Sequence, residues 1–223
     1  IKIDKAKLES EVREGLSKQS EALSNIRRVR WPGTNPFIEK KSNTFRVKGT
    51  PKVSVEAKGC SVKVRGWDRD EVKYVLTQMD VRKRSPVSVG EQATPSAVDL
   101  RVANNEKASR DIYFSGDTDA VRIEVFVPRK ADVKIVSNGE IRLDGVSGSI
   151  ELEGVDEEID VRNAEGKLKL SAADGQVRII GFKGELDSNT GDADVYLEGN
   201  FSRVTGHGVD GKFIVTVPEG YDA

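Results

Sequence analysis

The sequence predicts an all-β chain. It reads as a single right-handed parallel β-helix, a β-solenoid of about eighteen residues per coil, with an N-terminal α-helix ahead of it. Three observations predict this. From Glu140 to Gly220 the chain falls into nine blocks of nine residues: EIRLDGVSG, SIELEGVDE, EIDVRNAEG, KLKLSAADG, QVRIIGFKG, ELDSNTGDA, DVYLEGNFS, RVTGHGVDG and KFIVTVPEG. The second position is apolar in every block (Ile141, Ile150, Ile159, Leu168, Val177, Leu186, Val195, Val204, Phe213). The fourth is apolar in all but two, which carry Ser188 and Gly206, and glycine closes six of the blocks. A fixed period of this kind marks a repeat architecture.

Each block is a short strand followed by a corner. Apolar residues at alternate positions place one face of a strand inward, and glycine supplies the positive φ of a tight turn. Nine residues bury too little alone, so the blocks must stack. The outward charges choose between one and two blocks per coil. At a spacing of nine, Glu151 would lie beside Asp160, and Lys169 beside Arg178. At eighteen the ladders become Arg142–Asp160–Arg178, Glu151–Lys169–Asp187 and Lys167–Glu185–Arg203, with alternating sign. Opposite charges across a strand pair are worth roughly 0.2–1 kcal/mol and like charges are unfavourable, which favours the eighteen-residue coil. Val146, Val155, Phe182, Phe201 and Val209 then fall at corners. Right-handedness follows from the general bias of parallel crossovers.

In chain order, residues 1–36 read as an amphipathic helix and a proline-containing linker. Leu8, Val12, Leu16, Leu23, Ile26 and Val29 follow helical steps behind a candidate N-cap at Asp4. Trp31 to Pro36 (WPGTNP) ends the helix. The helix is expected to pack on the end or flank of the coil, or to serve as a juxtamembrane or partner-binding segment. Residues 43–223 form the solenoid domain. Its strands begin with TFRVKG, KVSVEAKG and SVKVRGWDRDEVKYVLT, where Trp67–Asp70 makes a polar turn. Between Arg82 and Arg110 only Val98–Val102 reads as a strand, and the rest is a solvated excursion. Alternation returns at Val121–Pro128. RIEVFVPRKADV, from Arg122, is echoed by KFIVTVPEGYDA, from Lys212, and the second copy stops at Ala223. The natural protein is therefore expected to continue, leaving an open coil edge here for a cap, a neighbour or a second copy. The start at Ile1, with neither Met nor a signal peptide, is read as a trimmed chain.

Composition narrows the function. The chain has 223 residues with 36 Lys and Arg against 37 Asp and Glu, a net charge of −1. No basic half points to nucleic acid, and no apolar run approaches the roughly 20 residues that cross a bilayer. A single cysteine, Cys60, excludes an internal disulfide framework. A single histidine, His207, sits between Gly206 and Gly208, far in sequence from Cys60, so a nucleophile–base pair is not expected. One Cys and one His cannot make a zinc site. The Asp-rich turns Gly191–Asp194 and Ser115–Asp119 each occur once, without the iteration of calcium-binding repeats. Most carboxylates fall on outward ladders opposite Lys or Arg, where a structural role suffices. No catalytic residue, metal or cofactor is expected. Among the aromatic residues Trp31, Trp67, Tyr74, Tyr113 and Tyr196, the surface candidate for ligand binding is Tyr196, outward on the Arg142–Asp160–Arg178 ladder. One outward tyrosine is weak evidence, and ordinary surface or flank packing is the favoured reading of it.

The turn VRGWDRDEV, the run from VPRKADV through the nine-residue blocks, and the VTVPEG echo together resemble the bacterial "putative adhesin" family of β-solenoid domains of unknown function. The resemblance covers about Lys52 to Ala223. It implies a single-chain parallel β-helix exposed outside the bacterial cytoplasm and tethered to the envelope, with no agreed catalytic residues. The expected function is a non-catalytic cell-envelope scaffold for adhesion or protein assembly, with a protein or glycan partner. The alternative is an extracytoplasmic sensory or regulatory domain of a membrane-anchored protein, its tether outside this chain.

Overall fold

Alternating apolar residues become strands wherever every second side chain can face one interior. The structure, a computed structural model, describes residues 37–80, 87–103, 121–155 and 158–216. The helix and linker expected over 1–36, the turn at Ser115–Asp119 and the end of the chain beyond Thr216 lie outside the described residues. The strands are β1 (Phe37–Arg46), β2 (Lys52–Lys58), β3 (Ser61–Trp67), β4 (Glu71–Asp80), β5 (Ser88–Thr94), β6 (Ala97–Ala103), β7 (Val121–Pro128) and β8 (Asp132–Ser137). They continue with β9 (Ile141–Asp144), β10 (Ser147–Gly154), β11 (Ile159–Arg162), β12 (Glu165–Ala172), β13 (Gln176–Thr190), β14 (Asp194–Gly208) and β15 (Phe213–Thr216).

All of them belong to one 15-stranded sheet with the path β1-β4-β7-β3-β9-β11-β13-β12-β10-β8-β2-β6-β5. The path turns back through β13, whose first half pairs with β11 and second half with β12. Two walls result, and their inward side chains form one apolar core. β14 runs along β13, and β15 along the start of β14.

The expected fold class is corrected here. The described chain is not a right-handed parallel β-helix with an N-terminal helix; it is a nearly closed, barrel-like mixed sheet, and none of the described residues is helical. β4 runs antiparallel between β1 and β7, and β5 runs antiparallel to β6, all hydrogen-bonded into the same sheet as the parallel strands. The physical reason is that the nine-residue period reports pairing only within its own span. The aperiodic half of the chain instead contains reversals. The Asp68–Asp70 turn sends β4 back beside β7, and Pro95–Ser96 makes a tight hairpin between β5 and β6.

No backbone ladder joins the outer strands β1 and β5 among the described residues; one carboxylate spans the seam. Glu91 on β5 accepts from Tyr74 Oη and from Asn43 Nδ2 (2.8 Å), with Lys41 Nζ 3.8 Å away. Tyr74 is fully buried and stacks on Phe45 of β1.

Within the sheet, parallel neighbours of the periodic stretch stand eighteen residues apart, except where β13 and β14 slip by one residue from Phe182 to Gly184. Ile141, Ile159, Val177, Val195 and Phe213 follow one another across β9, β11, β13, β14 and β15. Ile150, Leu168, Leu186 and Val204 do so across β10, β12, β13 and β14. Ile141 to Val195 and Ile150 to Leu186 are at most 2% exposed, each worth about 1.5–3 kcal/mol on burial. Ser188 breaks the apolar series but donates its hydroxyl to the Thr205 carbonyl at 3.5 Å. Of the expected corner residues, Val146, Phe182 and Phe201 are buried, whereas Val155 and Val209 are exposed. The corner itself is built on glycine. Gly148, Gly166 and Gly184 lie in register with φ of 150°, 119° and 131°. A Cβ on them would stand 2.4, 2.2 and 2.1 Å from the carbonyl oxygens of Ala131, Gly148 and Gly166.

Candidate functional site

Strand alternation sends every second residue of both walls outward, so the exterior is a grid of side chains. On the wall of β10, β12, β13 and β14 the grid is striped. β10 presents Glu151 and Glu153, β12 presents Lys167 and Lys169, β13 presents Glu185 and Asp187, and β14 presents Arg203. Each row carries one sign and the next row the other. Lys167 pairs with Glu185 at 3.4 Å, and Lys134 of β8 reaches Glu151 at 3.3 Å and Glu153 at 3.0 Å. These two glutamates, Glu153 first, hold the Lys134 ammonium above its usual range. A shallow recess of about 420 Å³ lies over the stripes.

The second wall carries Tyr196. β14 places it between Arg178 of β13 and Ile214 of β15. It is half-buried, its hydroxyl donates to Glu198 Oε2 at 3.3 Å, and it faces a recess of about 290 Å³ bordered by Arg178, Asp194, Lys212 and Ile214. Lys212 N donates to Asp194 Oδ1 at 2.9 Å, which gives that aspartate a turn-tying role. Arg178 forms no ion pair among the described residues. An aromatic ring, a guanidinium and an apolar side chain therefore meet at one place.

The Arg142–Asp160–Arg178 ladder is in register, but its carboxylate bonds along its own strand. Arg162 takes both oxygens of Asp160, with Nη2 to Oδ2 at 2.8 Å, while Arg142 pairs with Glu140. Asp160 is only 6% exposed, so the Arg162 fork satisfies a desolvated charge.

Other candidates separate. Cys60 is buried in the turn before β3, and His207 is exposed on β14 opposite Asn189. Among the described residues no group of three or more His, Cys, Asp and Glu gathers to hold a metal ion. Tyr74, an aromatic candidate by sequence, is the buried closure of the seam. Burial first, and then Glu91, push its phenol well above the ordinary range. The Tyr74 hydrogen bond in turn holds the Glu91 carboxyl below its usual range, outweighing the opposite effect of burial. Sequence reasoning missed Glu91 because β5 lies outside the periodic blocks, in a stretch read as excursion.

No family model and no curated protein matches the chain. The chain is similar to solved structures at low identity. A "putative cell adhesion protein" from Clostridium sporogenes is 10% identical over 82% of this chain and 100% of that one, with a TM-score of 0.40. A "putative adhesin" from Bacteroides fragilis is 10% identical over 81% and 97%, with a TM-score of 0.35. Another from Parabacteroides merdae is 10% identical over 84% and 98%, with a TM-score of 0.28. At these values the likeness says nothing about what this chain binds.

Proposed function

We propose that this chain is a non-catalytic scaffold of the bacterial cell envelope, displayed outside the cytoplasm, whose outer walls serve adhesion or protein assembly. One observation carries the reading: the striped wall of β10, β12, β13 and β14, where rows of like charge alternate across strands about 4.8 Å apart. Small-molecule sites are concave and mostly apolar, whereas this face is open and charged. Complementary charge rows on a macromolecule would fix register and orientation more than raw affinity. Tyr196, with Arg178 and Ile214 around it, offers an anchor on the other wall.

Beads coated with the full chain provide the test. They should be retained by isolated bacterial envelope fractions, and retention should fall with added salt. Replacing Lys167, Lys169, Glu185 and Asp187 together by alanine should reduce retention while the protein still melts cooperatively. Retention on no fraction, or retention untouched by the four substitutions in a folded protein, would overturn the reading.

A further inference from the structure

We propose that the outer face of β4, β7, β3 and β9 binds an acidic polysaccharide, with Lys63 and Arg122 holding its anionic groups and Trp67 with Phe126 receiving a sugar ring. The site lies on the wall away from the charge stripes and does not depend on them.

The first observation is a break in charge alternation. Along the row Glu124, Lys63, Arg142, Asp160 and Arg178 the sign changes at every step but one. Lys63 of β3 stands directly opposite Arg142 of β9, and although Arg142 pairs with Glu140, like charges face to face are unfavourable. The carboxylate across from Lys63 is engaged elsewhere, since Glu124 pairs with Arg65 at 3.5 Å. Lys63 and Arg122 form no ion pair among the described residues. Burial first, and then Arg65, lower the affinity of the Lys63 ammonium for its proton; Arg142 and Arg122 act the same way and Glu124 opposes them. A neutral side chain at 63 would avoid this crowding. Cations gathered at a cost to the fold are the arrangement an anionic ligand would relieve.

The second observation is aromatic. Trp67 lies two outward positions beyond Lys63 on β3, and its ring centre is 5.3 Å from that of Phe126 on β7. Both are half-buried, on the same outward side as the cations. Trp67 Nε1 donates to the Glu71 carbonyl at 2.7 Å, which fixes the ring, and the Arg69 guanidinium lies over one face, 5.0 Å from the ring centre. From Lys63 to Trp67 the strand rises about 13 Å, a span that suits a short run of rings rather than one small ion. Flat aromatic surface beside cations fits sugar rings bearing carboxylate or sulfate. Single-stranded nucleic acid also uses stacking and cations, but nucleic-acid domains carry a strong basic excess. This chain has a net charge of −1.

The test uses the full chain carrying Trp31→Phe, which leaves Trp67 as the single tryptophan. Its emission is followed during titration with polygalacturonate, neutral dextran, poly-L-glutamate and a single-stranded oligothymidylate. Polygalacturonate should give a saturable change that weakens with salt, and the other three should not. Lys63→Gln with Arg122→Gln should weaken binding by about tenfold or more, the loss of charge-assisted hydrogen bonds, without lowering the melting temperature. Lys63→Gln alone gives the same reading if the pair does not fold. The four-alanine variant of the striped wall should respond as the parent does, so failure here is distinguishable from failure of the bead assay. No response to polygalacturonate, an equal response to polyglutamate or oligothymidylate, or unchanged affinity in a folded Lys63→Gln variant would overturn the proposal.

Discussion

The stretch from β9 to β15 and the stretch from β1 to β7 use the same strands in different ways. In the first, every strand pairs with a neighbour eighteen residues away, and the second and fourth positions of the blocks are apolar except at Ser188 and Gly206. In the second, β4, β5 and their partners run antiparallel, no spacing recurs, and the closing contact is a single polar cluster around Glu91. The difference teaches that a repeated stretch distributes its stability over many equivalent apolar contacts, whereas a seam concentrates it in a few specific groups.

The largest expected effect breaks the periodic stretch. Val177 is 1% exposed between Ile159 and Val195, so Val177→Asp leaves an uncompensated buried charge. A loss of about 3–5 kcal/mol is expected, read as disappearance of the cooperative melting transition or a large fall in its midpoint; a small shift would count against the packing described.

Next comes the corner. Gly166→Ala forces a side chain onto a backbone with φ of 119° and against the Gly148 oxygen 2.2 Å away. Strain of this kind costs about 1–3 kcal/mol before the clash is added. Gly49→Ala sharpens the comparison, because Gly49 has φ of 66° but its added Cβ would meet no atom within 4 Å. Denaturant titration should rank Gly166→Ala as the more damaging.

The seam should respond smaller and differently. Tyr74→Phe removes a hydrogen bond to a charged partner and should cost about 1–2 kcal/mol at neutral pH. The folded Glu91 carboxyl titrates below its unfolded reference of 4.5. Its contribution is therefore fully present above that pH and lost as pH falls through the folded value. Hydrogen exchange should show β5 and β6 loosening in acid before β11 to β13, and Glu91→Gln should remove that pH dependence. Acid loosening both stretches together would refute the seam as the weaker closure.

The smallest effect belongs to the surface stripes. Lys167 and Glu185 have mostly exposed side chains, and Lys167→Ala should move stability by no more than about 1 kcal/mol. A larger change in the melting midpoint would mean that the stripes serve the fold rather than a partner.

What the sequence made legible follows the same division. The repeated apolar residues at Ile141, Ile159 and Val177 identify strand partners because one inward face imposes the register. Arg142, Asp160 and Arg178 identify neighbours too, but not bonds, since Asp160 turns to Arg162 on its own strand. The class of fold was not legible because the reversals at Asp68–Asp70 and Pro95–Ser96 carry no period. A long-range return is invisible to a pattern that compares only equal spacings. Tyr196 was placed outward by alternation, and its apolar neighbour Ile214 follows from the same eighteen-residue spacing. Lys63 and Glu91 were missed for one reason: each matters through a partner from a distant strand, Arg142 and Tyr74, that no local motif announces.

The column of Gly148, Gly166 and Gly184 has an evolutionary reading. Each backbone at that corner sits so close to the carbonyl beneath it that no other residue fits between. A duplicated cassette of eighteen residues would bring its own glycine to the same level and extend the column without disturbing its neighbours. A duplication of nine would set blocks nine apart side by side at its junction, as with Lys169 beside Arg178, against the charge alternation of the walls. Length variation among descendants of this gene should therefore come in steps of eighteen within this stretch, and in no fixed step anywhere else.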